Sequence, residues 1–182
     1  GIPEAARRAS AFPHQLSGGM RQRAMLAMAL VMEPELVIAD EPTTALDAAL
    51  QIQLLGELRK QVRAGGNSLM FISHDLGVIR AVSDQLVVMY AGVVVESGPT
   101  GEVMAHPAHP YTAALIDALP RLIIERRLPN PIPGHLPAPD RKPAGCVFSD
   151  RCARVKGDCR KTLPPVIPAG IDREVRCLFP IE

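Results

Sequence analysis

The sequence has few aromatic residues and almost no net charge. It contains four Phe, two Tyr and no Trp in 182 residues, and its formal net charge is +1. A surface that holds nucleic acid is usually basic, with aromatic side chains between the charges. We therefore expect no nucleic-acid partner.

Long apolar runs and a leader segment are also missing. The longest apolar stretches, 25–32 and 86–95, end well short of the roughly 20 residues that span a bilayer. The chain begins at Gly1, without an initiator Met and without a charged or apolar leader. These features predict a cytoplasmic protein, and we interpret the chain as a fragment of a longer one.

Proline and cysteine are concentrated in the last part of the chain. Thirteen of the 18 prolines and all four cysteines lie beyond Ala105. A change of composition on this scale indicates a domain boundary. We predict one domain over residues 1–105 and a proline- and cysteine-rich extension over residues 106–182.

The first part alternates between helical and strand patterns. Apolar spacing predicts helices over 20–32, 48–63 and 76–82. Apolar runs predict strands over 36–39 and 68–72, buried on both faces, and a hairpin of 85–90 with 93–96. The order predicts an α/β fold with a mainly parallel sheet, whose ligands gather at the carboxyl ends of the strands.

Ser17-Gly18-Gly19 opens the first of these helices. The start of a helix offers free backbone N–H groups and a positive dipole end, which suit a phosphate oxygen. Two glycines let the backbone approach closely. The alternative is an ordinary helix start with Ser17 as its N-cap.

Carboxylates and a histidine follow two of the predicted strands. Asp40 and Glu41 stand at the end of 36–39, where one can hold Mg²⁺ through water and the next can orient an attacking water. His74 follows 68–72 and is within reach of the same edge, where it can contact a γ-phosphate. The other histidines, His14, His106, His109 and His135, are interpreted as surface or capping residues.

Motifs of these kinds in this order predict half of an ATP-hydrolysing site. The other half is missing, because no GxxxxGK followed by Ser or Thr occurs to wrap the β- and γ-phosphates. No GxSxG nucleophile elbow occurs either, which argues against a serine hydrolase.

Together the motifs resemble the ATP-binding subunit of an ABC transporter, from just before its signature motif onward. Residues 16–23 resemble the signature motif, with Met20 where many members carry Gln. Residues 36–41 resemble Walker B and the catalytic glutamate, Ala45-Leu46-Asp47 resembles the D-loop, and Ser73-His74-Asp75 resembles the switch histidine. The resemblance implies part of a P-loop NTPase domain.

In that family two ATP-binding domains meet head to tail, and each nucleotide lies between them. The resemblance implies that Ser17, Gly18 and Gly19 serve the partner's nucleotide and that Asp47 crosses the dimer interface. It further implies that this subunit's own ATP is served by Asp40, which holds Mg²⁺ through water, and by Glu41 and His74, which are catalytic.

The extension narrows the resemblance to one branch. His109-Pro110-Tyr111-Thr112-Ala113-Ala114-Leu115 and Ile132-Pro133-Gly134 resemble segments of the oligopeptide, dipeptide and nickel importers. The branch implies a peripheral ATPase on the cytoplasmic face of a bacterial inner membrane. Its partners would be a second ATPase subunit, permease subunits and, indirectly, an extracytoplasmic binding protein. The complete subunit would hydrolyse ATP, and this fragment alone would be inactive.

The four cysteines leave several interpretations open. Cys146, Cys152, Cys159 and Cys177 are separated by five, six and seventeen residues, so no CxxC pair supports a zinc ribbon. Disulfides are disfavoured in the cytoplasm, which leaves buried thiols or a soft metal centre. The importer resemblance adds a 4Fe-4S cluster held by all four. The nearby basic residues either stabilise thiolates or form a solvated rim; they are Arg151, Arg154, Lys156, Arg160 and Lys161.

Two other functional classes stay open. One is a non-transport ABC-type ATPase, although no coiled-coil heptads precede Leu16. The other is a catalytically inactive, cysteine-centred metal or interaction module, which the missing phosphate loop supports. An ABC domain without its phosphate-loop strands should expose an edge and one face of its sheet.

Overall fold

The computed structural model describes residues 2–43, 48–119 and 131–182. The chain forms two compact units, residues 1–78 and residues 79–182. The boundary predicted near Ala105 therefore falls inside the second unit and stays a prediction about domain organisation. Among the described helices, none has both the length and the apolar character that a membrane crossing requires.

The first unit follows the predicted order of helices and strands. Its elements are α1 (Ala5–Arg8), a 3₁₀ turn (Pro13–Gln15), α2 (Gly18–Leu30), β1 (Leu36–Asp40), α3 (Ala48–Gly65), β2 (Ser68–Ile72) and the start of α4 (Leu76–Val82). β1 and β2 pair in parallel, with Leu36 opposite Ser68 and Asp40 opposite Ile72. The predicted parallel pairing is confirmed, and both strands end at the same edge.

The apolar residues of the first unit are buried unevenly. α3 buries Leu54, Leu55, Leu58 and Val62 along one side. In β1 only Val37 is buried, while Ile38 and its neighbour Met70 are 62% and 54% exposed. The prediction that both strands are buried on both faces is therefore wrong for this structure, because no described element covers the face that carries Ile38 and Met70.

The second unit is built on an antiparallel sheet. It contains β3 (Gln85–Tyr90), β4 (Val93–Pro99), α5 (Thr100–Ala105), α6 (Pro110–Asp117), a 3₁₀ turn (Gly157–Arg160), β5 (Ile167–Gly170) and β6 (Arg173–Val175). The strand order is β3-β4-β6-β5. The predicted hairpin is confirmed, and its turn residues Ala91 and Gly92 both have positive φ, 49° and 77°. Such a turn matches the twist of the flanking strands.

The extension contributes two strands that the sequence pattern did not predict. β6 pairs with β4, placing Val175 opposite Glu96, and β5 pairs with β6. The backbone N–H of Ile181 also donates to the carbonyl of Ala108 at 2.8 Å. The extension thus adds two strands to the sheet of the hairpin, and the end of the chain is bonded to the segment before α6.

A buried ion pair lies where the extension meets β4. Glu96 is 1% exposed, and one of its carboxylate oxygens lies 2.6 Å from a guanidinium nitrogen of Arg173. The same carboxylate accepts the backbone N–H groups of Ala108 and His109, each at 2.8 Å. Glu96 therefore holds both β6 and the segment that leads into α6.

Three aromatic rings fill the interior of this unit. Tyr90 of β3, Tyr111 of α6 and Phe148 of the extension pack with ring centroids 4.7 to 5.3 Å apart. Tilted and edge-to-face contacts of this kind are favourable. The rings place the cysteine-bearing segment against the hairpin and α6.

Candidate functional site

The shared end of β1 and β2 brings Glu41 and His74 together. The backbone N–H of Glu41 donates to the carbonyl of Ile72 at 3.0 Å, which continues the strand pairing by one residue. The Glu41 carboxylate then accepts the backbone N–H of His74 at 3.2 Å and contacts His74 Nδ1 at 2.8 Å. Two residues that are 33 positions apart in the sequence thus share one hydrogen-bonded site.

Glu41 has an unusual backbone conformation. Its φ is 46°, in the left-handed region that residues other than glycine rarely adopt. Strained residues of this kind concentrate at functional sites. The His74 side chain is 75% exposed and that of Glu41 is 38% exposed, and Asp40 is exposed beside them at the end of β1. The predicted trio therefore lies on an open edge that a ligand can reach.

The contact with Glu41 changes the protonation of His74. The hydrogen bond to Glu41, and then its negative charge, raise the pKa of His74 above the usual 6.5. Because the pKa is raised in the folded state, the favourable contact is fully present below pH 6.5 and is lost as the pH rises through the raised pKa.

We expect an NMR titration to show this coupling directly. The pKa of His74 should lie above 6.5 in the unmodified protein and fall towards 6.5 in Glu41→Gln, because the charge that favours imidazolium is removed. Glu35→Gln, which removes a charge from an exposed position just before β1, should leave the pKa of His74 unchanged. An unchanged His74 titration in the variant would contradict the contact.

Ser17 caps helix α2. Its hydroxyl accepts the backbone N–H of Met20 at 3.3 Å, so the capping alternative describes its role in this structure. Gly18 has open space around it, since a Cβ there would meet no atom within 4 Å. Packing in this structure therefore does not require glycine at position 18, and the helix start is open to an approaching ligand.

Helix α2 is also tied to the turn after Glu41. The Gln22 side-chain amide donates to the carbonyl of Pro42, and the Gln51 amide of α3 donates to the Thr43 hydroxyl at 3.1 Å. Thr43 itself is buried. The segment that resembles the signature motif and the segment that carries Glu41 are thus connected. Asp47, predicted to cross a dimer interface, lies outside the described residues.

The four cysteines of the second unit line one cavity. None of them forms a disulfide, and Cys146, Cys152, Cys159 and Cys177 share the cavity wall with His109 and Ser149. The backbone N–H of Cys146 donates to the carbonyl of Cys159 at 2.7 Å. Gly145 makes this approach possible, because a Cβ there would overlap the Cys159 carbonyl oxygen.

Backbone N–H groups donate to three of the thiols. Burial raises the pKa of Cys146, whereas the N–H groups of Phe148 and Ser149 lower it. Burial likewise raises the pKa of Cys152 and of Cys177, and one backbone N–H lowers each, from Arg154 and Phe179 respectively. Because burial is the largest cause and the net shift is upward, the thiols of Cys146, Cys152 and Cys177 are protonated at neutral pH.

The predicted metal centre is not supported by the arrangement of side chains. Within residues 2–43, 48–119 and 131–182, no group of three or more His, Cys, Asp or Glu side chains is placed to hold a metal ion. The 4Fe-4S cluster expected at Cys146, Cys152, Cys159 and Cys177 is therefore not shown.

Most of the basic residues near the cysteines have other partners. Arg160 pairs with Asp150 and Lys161 with Asp158, at 2.6 and 2.7 Å. Lys156 lies over the ring of Phe179, and Arg151 donates to the carbonyls of Ile132 and Pro133. Arg154 is the member of this set that lines the cavity and its charge lowers the pKa of Cys152.

His109 is the cavity residue that sequence reasoning missed. The sequence predicts a surface or capping residue, and His109 does cap α6, since Nδ1 accepts the backbone N–H of Tyr111 at 3.0 Å. It is nevertheless only 1% exposed, and burial lowers its pKa to about 4. The sequence signal was its place immediately before Pro110, at a helix start beside the cysteine-rich segment.

Two families match separate parts of this chain. Residues 1–44 match the family described as ABC transporter. Residues 95–159 match the family described as oligopeptide/dipeptide transporter, C-terminal region. The first range contains Ser17, Asp40 and Glu41, and the second contains His109 and three of the four cysteines.

Curated relatives match nearly the whole chain. A protein of Brucella ovis named as a peptide import ATP-binding protein is 46% identical over 184 residues, covering 98% of this chain and 54% of the relative. An Escherichia coli protein named as a D,D-dipeptide transport ATP-binding protein is 46% identical over 176 residues. The match covers 97% of this chain and 53% of that relative. The chain therefore spans about half the length of the curated relatives it matches.

Proposed function

Because this chain belongs to the ATP-binding proteins of ABC transporters and carries the C-terminal region of the oligopeptide/dipeptide transporters, we propose that it is part of an ATPase subunit that drives peptide import. The observation that carries the proposal is the contact of Glu41 with His74 at the shared end of two parallel strands. Ligands of such sheets bind at this edge.

The residues at this edge suit hydrolysis of a phosphoanhydride. Glu41 is the carboxylate that accepts a hydrogen bond from the attacking water and orients it towards the γ-phosphate. His74 donates a hydrogen bond to a phosphate oxygen. Asp40, exposed beside them, holds Mg²⁺ through water, and the ion neutralises charge on the phosphates when bound. The bond between Glu41 and His74 fixes the direction of both side chains.

The start of α2 serves a second nucleotide. Ser17, Gly18 and Gly19 present backbone N–H groups at the positive end of a 13-residue helix. They would face the nucleotide of a partner ATPase subunit, with Asp47 near the dimer interface. The Gln22 contact to Pro42 would then link the helix that senses the partner's nucleotide to the segment that holds Glu41.

The names of the relatives favour peptides as the cargo. Both relatives described above are named for peptide or dipeptide transport, and neither is named for nickel. We propose that the subunit works at the cytoplasmic face of a bacterial inner membrane, bound to permease subunits that receive cargo from a binding protein. Under this proposal the cargo does not touch the chain.

We further propose a sulfur-liganded 4Fe-4S group in the cysteine cavity. Four thiols converge on one cavity, three of them already accept backbone N–H groups, and two buried polar atoms of the wall lack partners among the described residues. Four cysteines match the number of ligands that such a cluster takes, and its binding would move the side chains from positions in which no three of the described His, Cys, Asp or Glu residues are placed to hold a metal ion. When bound, the group supplies iron–sulfur bonds that join the cysteines.

Uptake by cells tests the importer proposal. Deleting the gene should abolish accumulation of labelled dipeptides or oligopeptides and leave nickel accumulation unchanged, because permease opening depends on ATP turnover at this edge. Complementation with the unmodified gene should restore uptake. Unchanged peptide uptake in the deletion strain would contradict the proposed cargo class, and lost nickel uptake would favour the nickel alternative.

A further inference from the structure

The backbone of Glu41 has a conformation that needs support from its surroundings. Its φ of 46° lies in the left-handed region, which residues other than glycine rarely adopt. Glu41 also precedes Pro42, and the residue before a proline is ordinarily extended. A conformation of this kind persists only where neighbouring contacts hold it. The contacts of the turn formed by residues 41–43 therefore decide where the Glu41 side chain lies.

Two glutamine side chains hold this turn, one from each of two helices. Gln22 of α2 donates its side-chain amide to the carbonyl of Pro42. Gln51 of α3 donates its amide to the Thr43 hydroxyl at 3.1 Å, and Thr43 is buried. Both glutamines are half-buried. The two residues directly after Glu41 are thus each bonded to a helix.

The two helices are also bonded to each other. The Arg23 guanidinium of α2 donates to the side-chain carbonyl oxygen of Gln53 of α3 at 2.8 Å. Arg23 follows Gln22 directly, and Gln53 lies two residues after Gln51. The supports of the turn therefore come from one connected pair of helices.

The turn determines the direction of the Glu41 carboxylate. Before the turn, the backbone N–H of Glu41 is held by the carbonyl of Ile72 at 3.0 Å. The carboxylate contacts His74 Nδ1 at 2.8 Å. A rotation of the backbone between Glu41 and Pro42 would move the carboxylate away from His74, and the bond from Gln22 to Pro42 opposes that rotation.

We propose that Gln22 is a positioning residue for ATP hydrolysis: its bond to the Pro42 carbonyl holds Glu41 in the conformation that directs the carboxylate to the attacking water. Gln51 supports the same turn through Thr43. This role rests on the proposed hydrolysis of ATP at this edge. Because Gln22 acts through Glu41, its loss should slow hydrolysis and leave the binding of ATP unchanged.

The substitutions remove the amide donor with little change in size or helix propensity. Gln22→Met keeps an unbranched side chain with a similar preference for helix but cannot donate to Pro42. Gln22→Lys returns an N–H donor to the same position. Gln51→Met removes the second support of the turn. Gln61→Met is the matched control, because Gln61 is an exposed residue of α3 whose amide donates to Glu57 and not to the turn.

The test measures steady-state phosphate release and the equilibrium affinity for ATP of the natural polypeptide. Gln22→Met should lower kcat by about 10- to 100-fold, since a small misplacement of a reacting group has an effect of this size, while the affinity for ATP stays unchanged. Gln22→Lys should recover part of kcat, and Gln51→Met should lower kcat less than Gln22→Met does. Gln61→Met should match the unmodified protein.

A double-variant cycle tests whether Gln22 acts through Glu41. In single-turnover experiments, adding Gln22→Met to Glu41→Gln should slow hydrolysis little further, because the group that Gln22 positions has already lost its function. An equal fold-loss from Gln22→Met with and without Glu41→Gln would show that Gln22 acts independently of Glu41 and would overturn the proposed role.

The other outcomes separate the role of Gln22 from the ATPase function. If Gln22→Met keeps the kcat of the unmodified protein while Glu41→Gln loses turnover, the role of Gln22 is wrong and the ATPase function stands. A lower melting temperature with weaker ATP binding in Gln22→Met, not restored in Gln22→Lys, would show a purely structural glutamine. Undiminished turnover by Glu41→Gln would overturn the proposed site and, with it, the role of Gln22.

Discussion

ATP turnover by the natural polypeptide should fall by about 100-fold or more when Glu41 is replaced by Gln, while ATP binding is retained. Gln keeps the size of the side chain but cannot orient water through a negative charge. Asp40 remains to hold Mg²⁺ through water, so the affinity for the nucleotide should change little.

Steady-state phosphate release measures the turnover of ATP, and an equilibrium binding assay measures the affinity for ATP separately. Glu35→Gln is the matched control, because it removes the same charge from an exposed position just before β1 and should leave turnover unchanged. Undiminished hydrolysis by Glu41→Gln would show that another group orients the water. Loss of ATP binding in the variant would instead assign Glu41 to the ground-state contact with nucleotide and magnesium.

Local patterns were enough to predict the elements around Glu41 and His74. The strand predicted over 68–72 matches β2, and the helix predicted over 76–82 matches α4. Their boundaries are set by short-range features, namely the apolar run of β2 and the break that Ser73 and His74 make after it. Placing His74 near Glu41 then followed from parallel pairing, because parallel strands bring their carboxyl ends to one edge.

The burial of these strands could not be predicted in the same way. An apolar run shows that a strand can be covered, but the covering element must come from elsewhere in the protein. Ile38 and Met70 lie side by side on a face that no described element covers. Their exposure depends on long-range packing, which the local pattern does not contain.

The extension was the hardest part to predict. β6 has three residues and β5 has four, which is too short for a period-two pattern to be distinguished from a loop. β6 joins the sheet by pairing with β4, 77 to 79 residues earlier in the sequence, and β5 joins it through β6. His109 was missed for the same reason, since only the folded extension encloses it.

Breaking the Glu96–Arg173 pair should cost the second unit about 3–5 kcal/mol of stability. Arg173→Met leaves a carboxylate buried at 1% exposure without its counterion. Glu96→Leu leaves a buried guanidinium and also removes the acceptor of the Ala108 and His109 N–H groups. Hydrogen exchange of the β4 and β6 amides should therefore accelerate in both variants, and more strongly in Glu96→Leu.

The double variant Glu96→Leu/Arg173→Met separates the ion pair from the backbone contacts. Each single substitution leaves one buried charge without its partner. The loss of unfolding free energy in the double variant should therefore be smaller than the sum of the losses in the two single variants. The destabilisation that remains should reflect the two N–H groups, which no apolar side chain can satisfy. Asp158→Asn is the control, because its pair with Lys161 is exposed and should be worth at most about 1 kcal/mol. A loss of stability in the double variant equal to the sum of the losses in the two single variants would show that the two side chains stabilise the unit independently.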